Sequence, residues 1–395
     1  MRRRLTADNK YRIFILGAGF SKAAGIPLAD ELWKVILKRC DHLTGRASKL
    51  NDDIEAYLKY CYDCKGVKLK RDTINFEEFL GYLDIEHFLG LRGKDTWSED
   101  GNEGQVVVKT LIGEFLSGYM PKPGKIPQEY IEFAKRLEPN DYIFTFNYDT
   151  LLERALDEIG KSYRLFPYRY ESINKYGGTI DSSKEEVVIL KYHGSIDWFS
   201  KKNYKSTIQA WKEQGYDKTP DDVIFGIDAK LRLSKLVDGP RFEDDPLNDI
   251  YRVSEIEHLY GQNIMFQATP YLLTPSINKI IYANRIGDFW RGLGDTGYLN
   301  FGMSIIGYSL PAHDVYASQI IYSLVKNYQE AYWNKDVCGH KKTPLILVDY
   351  QKSLEDIEKY KEHYRFVDYN KAELCMDGFN LESIERIFHD DNVVS

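Results

Sequence analysis

Two short stretches carry groups suited to holding hydroxyls and moving protons. Thr145-Phe146-Asn147-Tyr148-Asp149 sets an amide and a carboxylate two positions apart, and Tyr192-His193-Gly194-Ser195 sets an imidazole in a Gly-Ser turn. An amide holds a sugar hydroxyl or a water, a carboxylate holds a second hydroxyl, and an imidazole titrating near neutrality accepts the proton of either. Plain structural roles stand beside these. Asn147 and Asp149 are also suited to capping a helix that starts at Leu151-Leu152-Glu153, and His193 to being a satisfied structural histidine. Of the eight histidines, His193 alone follows an apolar run into such a turn. His42, His87, His258, His313, His340, His363 and His389 lie in helical or loop contexts, His313 closest to a strand end.

Three further turns are rich in glycine or acid. Gly17-Ala18-Gly19-Phe20-Ser21, closed by Gly25-Ile26-Pro27, follows an apolar run and leads towards a helix. In that context Gly17 permits a tight turn, Gly19 lets backbone N–H groups approach a diphosphate, and Ser21 bonds phosphate or caps the helix. Lys22 stands where a G-x-G-x-x-G fingerprint has its third glycine, so glycines serving turn geometry alone remain an alternative. Gly307-Tyr308-Ser309-Leu310-Pro311, with Asp314 beyond it, suggests another close approach to a ribose or phosphate. Val348-Asp349-Tyr350 sets a carboxylate where it could bond an adenosine ribose.

Strands must position these turns. Tyr11–Leu16, Asp141–Phe146, Val187–Tyr192, Phe301–Ile306 and Pro344–Asp349 are short runs rich in β-branched or aromatic residues, each leading into one of the turns. Helical patterns follow at Ala29–Lys38, Thr150–Glu158, Val315–Tyr332 and from Leu354. Alternating strands and helices predict an α/β fold: a Rossmann-like parallel sheet with helices on both faces. Open sheets of this kind bind ligands beyond the carboxyl ends of their strands, where all five turns fall. A helical insertion is expected over about 45–137, where IEAYLKYC, FEEFLGYLDIEHFL and VVVKTLIGEFLSGY show spacing near 3.6. Residues 200–270, polar and containing DGPRFEDDPLND, read as a mobile loop with a short helix. The expectation is one nucleotide-binding domain over 1–395 with these two insertions, without repeats or low-complexity segments.

Composition excludes several classes. The chain has 395 residues, 43% hydrophobic and 29% charged, which suits a sizeable core and not wholesale disorder. Its apolar runs are far shorter than the roughly 18 residues of a membrane span, and no secretory h-region follows the basic start. Five scattered cysteines fit a reducing cytoplasm and no disulfide framework. With 53 basic against 60 acidic side chains, net charge is −7, so direct nucleic-acid binding is not indicated. Cys61-Tyr-Asp-Cys64 has zinc-like spacing, but no second such pair completes a ligand set, and Cys338-Gly-His340 is isolated. No metal is expected.

Taken in order, GAGFSKAAGIP, TFNYDTLLE, YHGS and GYSL resemble the turns with which the sirtuin superfamily binds NAD. FNYD, HGS and GYS are closer to the sirtuin-like domains of bacterial antiphage defence. The resemblance implies that Gly17, Ala18, Gly19, Phe20, Ser21, Pro27, Ser195, Gly307, Ser309 and Asp349 hold the dinucleotide. It also implies that Asn147 orients a water or ribose, His193 is the general base, and Asp149 assists at the ribose. Departures from protein deacylases are specific. No cysteine occurs in 196–330, where a zinc module would sit; Leu28-Ala29-Asp30 replaces Asp-Phe-Arg; Phe146 replaces a glutamine. These point from acyl transfer towards an NAD glycohydrolase that releases nicotinamide and ADP-ribose, depleting NAD in infected cells.

An unregulated enzyme of that kind would harm its host. The roughly 45 residues beyond the last predicted strand are too few for a fused regulatory domain. The expected control is therefore homo-oligomerisation, through about 45–137, and a separate regulator such as a HerA-type ATPase. The rival expectations are a non-catalytic NAD or ADP-ribose sensor, a zinc-free deacylase and a nucleic-acid-binding structural subunit.

Overall fold

Near-continuous apolar runs build the central strands. Arg12–Leu16, Val187–Lys191, Gly302–Ile306 and Leu345–Val348 are buried along their whole length, as strands covered on both faces must be. The computed structural model describes residues 11–92, 98–139, 141–215, 224–225, 230–262, 268–291, 293, 296–311, 314–336 and 340–389. In chain order its strands are β1 (Arg12–Leu16), β2 (Tyr142–Thr145), β3 (Tyr163–Arg164), β4 (Tyr170–Asn174), β5 (Gly177–Ile180) and β6 (Val187–Lys191). They continue with β7 (Gly194–Ser200), β8 (Leu233–Lys235), β9 (Ile250–Val253), β10 (Pro270–Leu272), β11 (Gly302–Ile306), β12 (Leu345–Val348) and β13 (Ala372–Cys375).

Seven strands form one parallel sheet in the order β13-β12-β11-β1-β2-β6-β3. From the central β1 the chain winds outward through β2 and β6 on one side and later through β11, β12 and β13 on the other. The reversal falls between β1 and β11. Successive side chains of β1 serve opposite faces. Phe14 packs edge-on against Phe133 of the helix Gln128–Arg136, centroids 5.4 Å apart, and near Phe388 at 5.6 Å. Ile15 shares the other face with Phe144, Tyr192 and Ile320, Ile321 and Leu324 of the helix Val315–Glu330. The fold class read from the sequence, a parallel Rossmann-like sheet clothed on both faces, is the one observed.

Two regions differ from the reading. The stretch 200–270, expected as a loop with a short helix, contributes to a second, antiparallel sheet ordered β10-β7-β9-β8. Its strands β8 and β9 are only three and four residues long, and β8 is exposed throughout. β8 is an exposed edge strand without apolar alternation, and β9, inside the sheet, is too short to show a period although Ile250 and Val253 are buried. The sheet also extends past Asp349, the last predicted strand end, to β13, whose mixed Ala-Glu-Leu-Cys sequence and partial exposure suit an edge.

The stretch 45–137 contains the helices Lys49–Lys65, Phe76–Leu89, Glu103–Tyr119 and Gln128–Arg136. Cys61 and Cys64 lie on the first of these, one buried and one exposed. Among the described residues, no group of three or more His, Cys, Asp or Glu is placed to hold a metal ion. His313 and Cys338 lie outside the described residues. No helix of the described residues is long and apolar enough to cross a membrane.

Candidate active site

Backbone hydrogen bonds carry the parallel ladder one step past the strands and set the turns in a row. Tyr192 N–H donates to Thr145 O, Phe146 to Leu16, Gly17 to Ile306, Gly307 to Val348 and Asp349 to Cys375, at 2.8–3.1 Å. His193, Asn147, Gly17, Gly307 and Asp349 thus follow one another along the carboxyl edge of the sheet. At about 4.8 Å per strand the row spans about 19 Å.

At its centre the glycines serve each other. Gly19 N–H donates to Gly307 O at 2.8 Å. A Cβ on Gly17 would stand 2.5 Å from Gly307 O, and one on Gly307, whose φ is +63°, would stand 2.1 Å from Phe20 N. The two turns approach so closely that neither tolerates a side chain. The Gly19 amide expected to face a diphosphate is therefore already engaged; turn geometry, the alternative considered for these glycines, accounts for it. Ala18 is exposed, while the Phe20 ring is buried among Tyr130, Phe133 and Phe379. The Phe20 backbone is engaged as well: its N–H donates to Gly17 O at 2.9 Å and its carbonyl accepts from Tyr130 Oη at 2.6 Å. Pro27 is half-buried beyond the turn.

Asn147 joins two motifs. Its Nδ2 donates to Gly17 O at 2.9 Å and to Ser21 Oγ at 3.1 Å, and its own N–H is held by Thr145 Oγ1. Ser21 thus receives the Asn147 amide, while the capping reading of Asn147 gives way to this bridge. Asp149 Oδ1 accepts at 3.1 Å from the N–H of Leu151, the first residue of the helix Leu151–Glu158, whose N-cap position is Thr150. The Asp149 carbonyl accepts from Lys191 Nζ, which also pairs with Glu153 Oε1 at 2.9 Å. This buried Lys191–Glu153 pair fixes the turn from beneath, and burial pushes the Glu153 carboxyl upward.

His193 sits where the two sheets meet. Gly194, at φ +76°, turns the chain from β6 directly into β7, and its missing Cβ admits Tyr271 O, which would stand 2.2 Å away. The His193 carbonyl accepts from Leu273 N–H at 2.8 Å. Its ring is buried, with Nε2 2.7 Å from Tyr316 Oη and the Phe146 ring edge-on at 5.1 Å. Ser195, fully buried, donates to Tyr148 O at 3.2 Å and supports the same joint. Phe146 stacks on Tyr308 at 4.7 Å, and Trp290 lies against Tyr192 at 4.6 Å and Tyr316 at 4.9 Å. Tyr308 Oη donates to Asp314 Oδ2 at 3.0 Å, and the other oxygen of Asp314 meets Lys279 Nζ.

The remaining candidates lie across the row. Ser309 is exposed, its carbonyl held by His363 Nδ1 at 2.9 Å. Asp349 is half-buried, accepts from Tyr350 N–H and Gln351 Nε2, and is pushed upward by burial. The turns gather Asn147, Ser21, Gly17 and His193 at one end and leave Ser309 and Asp349 beyond the glycine contact. Sequence reasoning missed Tyr148, Lys191, Lys279, Trp290 and Tyr316. Tyr316 alone had a usable signal, at the start of the helix that follows the GYSLPAHD turn.

No curated protein matches the chain. Among solved structures, one from work on the mechanism and regulation of Sir2 enzymes aligns over 97% of this chain and 92% of its own, at 13% identity and a TM-score of 0.37. A complex of Sir2 with p53 peptide and NAD+ aligns over 98% and 95%, at 11% identity and a TM-score of 0.30. Sequence comparison gives the sharper result: residues 141–273, which hold Asn147, Asp149, His193 and Ser195, match the SIR2-like domain family.

Proposed function

We propose that the chain is an NAD glycohydrolase, converting NAD+ and water to nicotinamide, ADP-ribose and a proton. The observation that carries this reading is the Asn147 amide bridging Gly17 and Ser21, one strand away from the turn that bears His193. The row is long enough to seat two nucleosides end to end. The bond between nicotinamide and ribose C1′ breaks through an oxocarbenium-like state, and nicotinamide leaves neutral. Asn147 orients the attacking water or the ribose, His193 takes the proton, and Asp149 assists at the ribose. The dinucleotide is held by Ala18, Ser21, Pro27, Ser309 and Asp349, in turns that Gly17, Gly19, Phe20, Gly307 and Ser195 shape through their internal contacts. The chemistry calls for no metal.

In the cell the enzyme acts in the cytoplasm as the effector of an antiphage abortive-infection system, a role supported by the resemblance of FNYD, HGS and GYS. Control by assembly is supported by the helical insertion, where Ile85, Phe88, Leu89 and Leu91 form an exposed apolar group, Phe88 at 66%. A homo-oligomer, with a separate regulator such as a HerA-type ATPase, would cover it.

Nicotinamide release from NAD by the purified protein, with and without the neighbouring gene product, tests the chemistry. Asn147→Ala and His193→Ala should each lower release by at least about 100-fold; full activity in both variants sinks the assignment. NAD levels in phage-challenged cells test the effector role, which an unchanged level would overturn. The buried, Tyr316-bonded His193 favours one second reading, a non-catalytic sensor. Binding of NAD or ADP-ribose without turnover, regulator present, would establish it.

A further inference from the structure

The segment 274–290 crosses the His193 end of the row and is fastened on both sides. Towards the helical insertion, Ser276 Oγ donates to the fully buried Asp84, Asn278 Nδ2 reaches Gly81 O at 3.4 Å, and Tyr282 Oη meets His87 Nδ1 at 2.8 Å. All three anchors lie on the helix Phe76–Leu89. Towards the site, buried Lys279 pairs with Asp314, and Trp290 packs on Phe146, Tyr192 and Tyr316.

Asp314 stands two residues before Tyr316 and also receives Tyr308. Burial and then the Asp314 charge push the Tyr316 phenol far upward, so it stays neutral. Its hydroxyl lies on His193 Nε2 at 2.7 Å. In either tautomer it occupies the place that a ribose hydroxyl or water must take to pass a proton to that nitrogen. The packing is also unsatisfied: Trp290 Nε1 and Tyr192 Oη are buried without a hydrogen-bond partner. Buried polar groups normally find partners, and these two lack a protein partner in the present packing.

We propose that residues 274–290 are a built-in strap that holds the site shut, with the Tyr316 hydroxyl as an internal stopper on His193. The inference rests on the glycohydrolase reading for what the stopper excludes. Release is a movement of the strap that breaks Lys279–Asp314 and lets Tyr316 swing from the imidazole. Three of its outer anchors sit on the helix Phe76–Leu89, and Arg285 adds contacts to Asn203, Glu99 and Asp100, so a partner that moves that helix acts on the strap that covers His193.

The test uses the full chain without activator: wild type, Tyr316→Phe, and Lys279→Met/Asp314→Asn, which removes both charges together. Nicotinamide release from NAD and calorimetric binding of NAD and ADP-ribose are measured for each. At least tenfold faster release in Tyr316→Phe, with hydrogen exchange in the double variant accelerated over 274–290, is the expected result. At least tenfold tighter NAD binding with no release in any protein would keep the stopper and sink the hydrolase reading. Release and binding in folded Tyr316→Phe at or below wild type would overturn the stopper, since a gate has then not been removed.

Discussion

The glycine contact and the His193 cluster lie two strands apart on the same sheet edge, yet they are built by opposite means. Gly17, Gly19 and Gly307 meet backbone to backbone, with no room for a methyl group. The other end is assembled from side chains: Phe146 on Tyr308, Trp290 on Tyr192, Tyr316 on His193, Lys279 on Asp314. Backbone contacts at fixed strand ends have one arrangement. Rotatable side chains joined by a buried ion pair have at least two, because losing the pair leaves charges that must find water. The first region is scaffold, and the second is where the molecule can change.

Substitutions that treat the two ends alike test this contrast. Gly307→Ala should be the most damaging, at about 4 kcal/mol, because it combines φ +63° with a Cβ 2.1 Å from Phe20 N. Chemical denaturation reads it out; a loss under 1 kcal/mol would show that the glycine turns separate easily.

Next comes a pH effect confined to the side-chain end. Burial pushes the Asp84 carboxyl up to about 6, while hydrogen bonds from Ser276 and Gln105 and the charges of Lys109 and Lys279 pull it back. Unfolded, the same carboxyl titrates near 3.9. Between these values the folded protein holds the proton more tightly, so this term stabilises on acidification and is lost as pH rises from about 4 through about 6. About two units correspond to about 3 kcal/mol. The stability difference between wild type and Asp84→Asn should shift by about that amount across the window. Parallel pH profiles would remove Asp84 from the account.

Phe146→Leu should cost least, about 1 kcal/mol, since it loses the stack on Tyr308 and weaker ring contacts to His193, Tyr192 and Trp290 but little volume. A cost equal to that of Gly307→Ala would erase the distinction between the two ends.

The same distinction explains what was legible in the sequence. Gly17, Asn147, His193, Gly307 and Asp349 were found because a strand end followed by a special turn is written in adjacent residues. The parallel order placed them side by side without further information. The strap was not legible. Tyr316 reaches His193 across 123 positions and Ser276 reaches Asp84 across 192; the helix start after the GYSLPAHD turn marks Tyr316 only as a position, and nothing local marks Ser276. Gly19 was found for an incomplete reason: its freedom from a side chain was visible, but the carbonyl that needs it belongs to a turn 288 residues on. β8 and β13 escaped because edge strands carry mixed side chains.

The Gly194 bend has a consequence for how information reaches the imidazole. His193 is the last residue before the chain changes sheets. Its carbonyl is tied to Leu273, next to the antiparallel β10, and its ring to the helix that covers the parallel sheet. One residue is therefore held by both layers at once, its backbone by one and its ring by the other, so a relative displacement of the layers would bear on the aim of the imidazole.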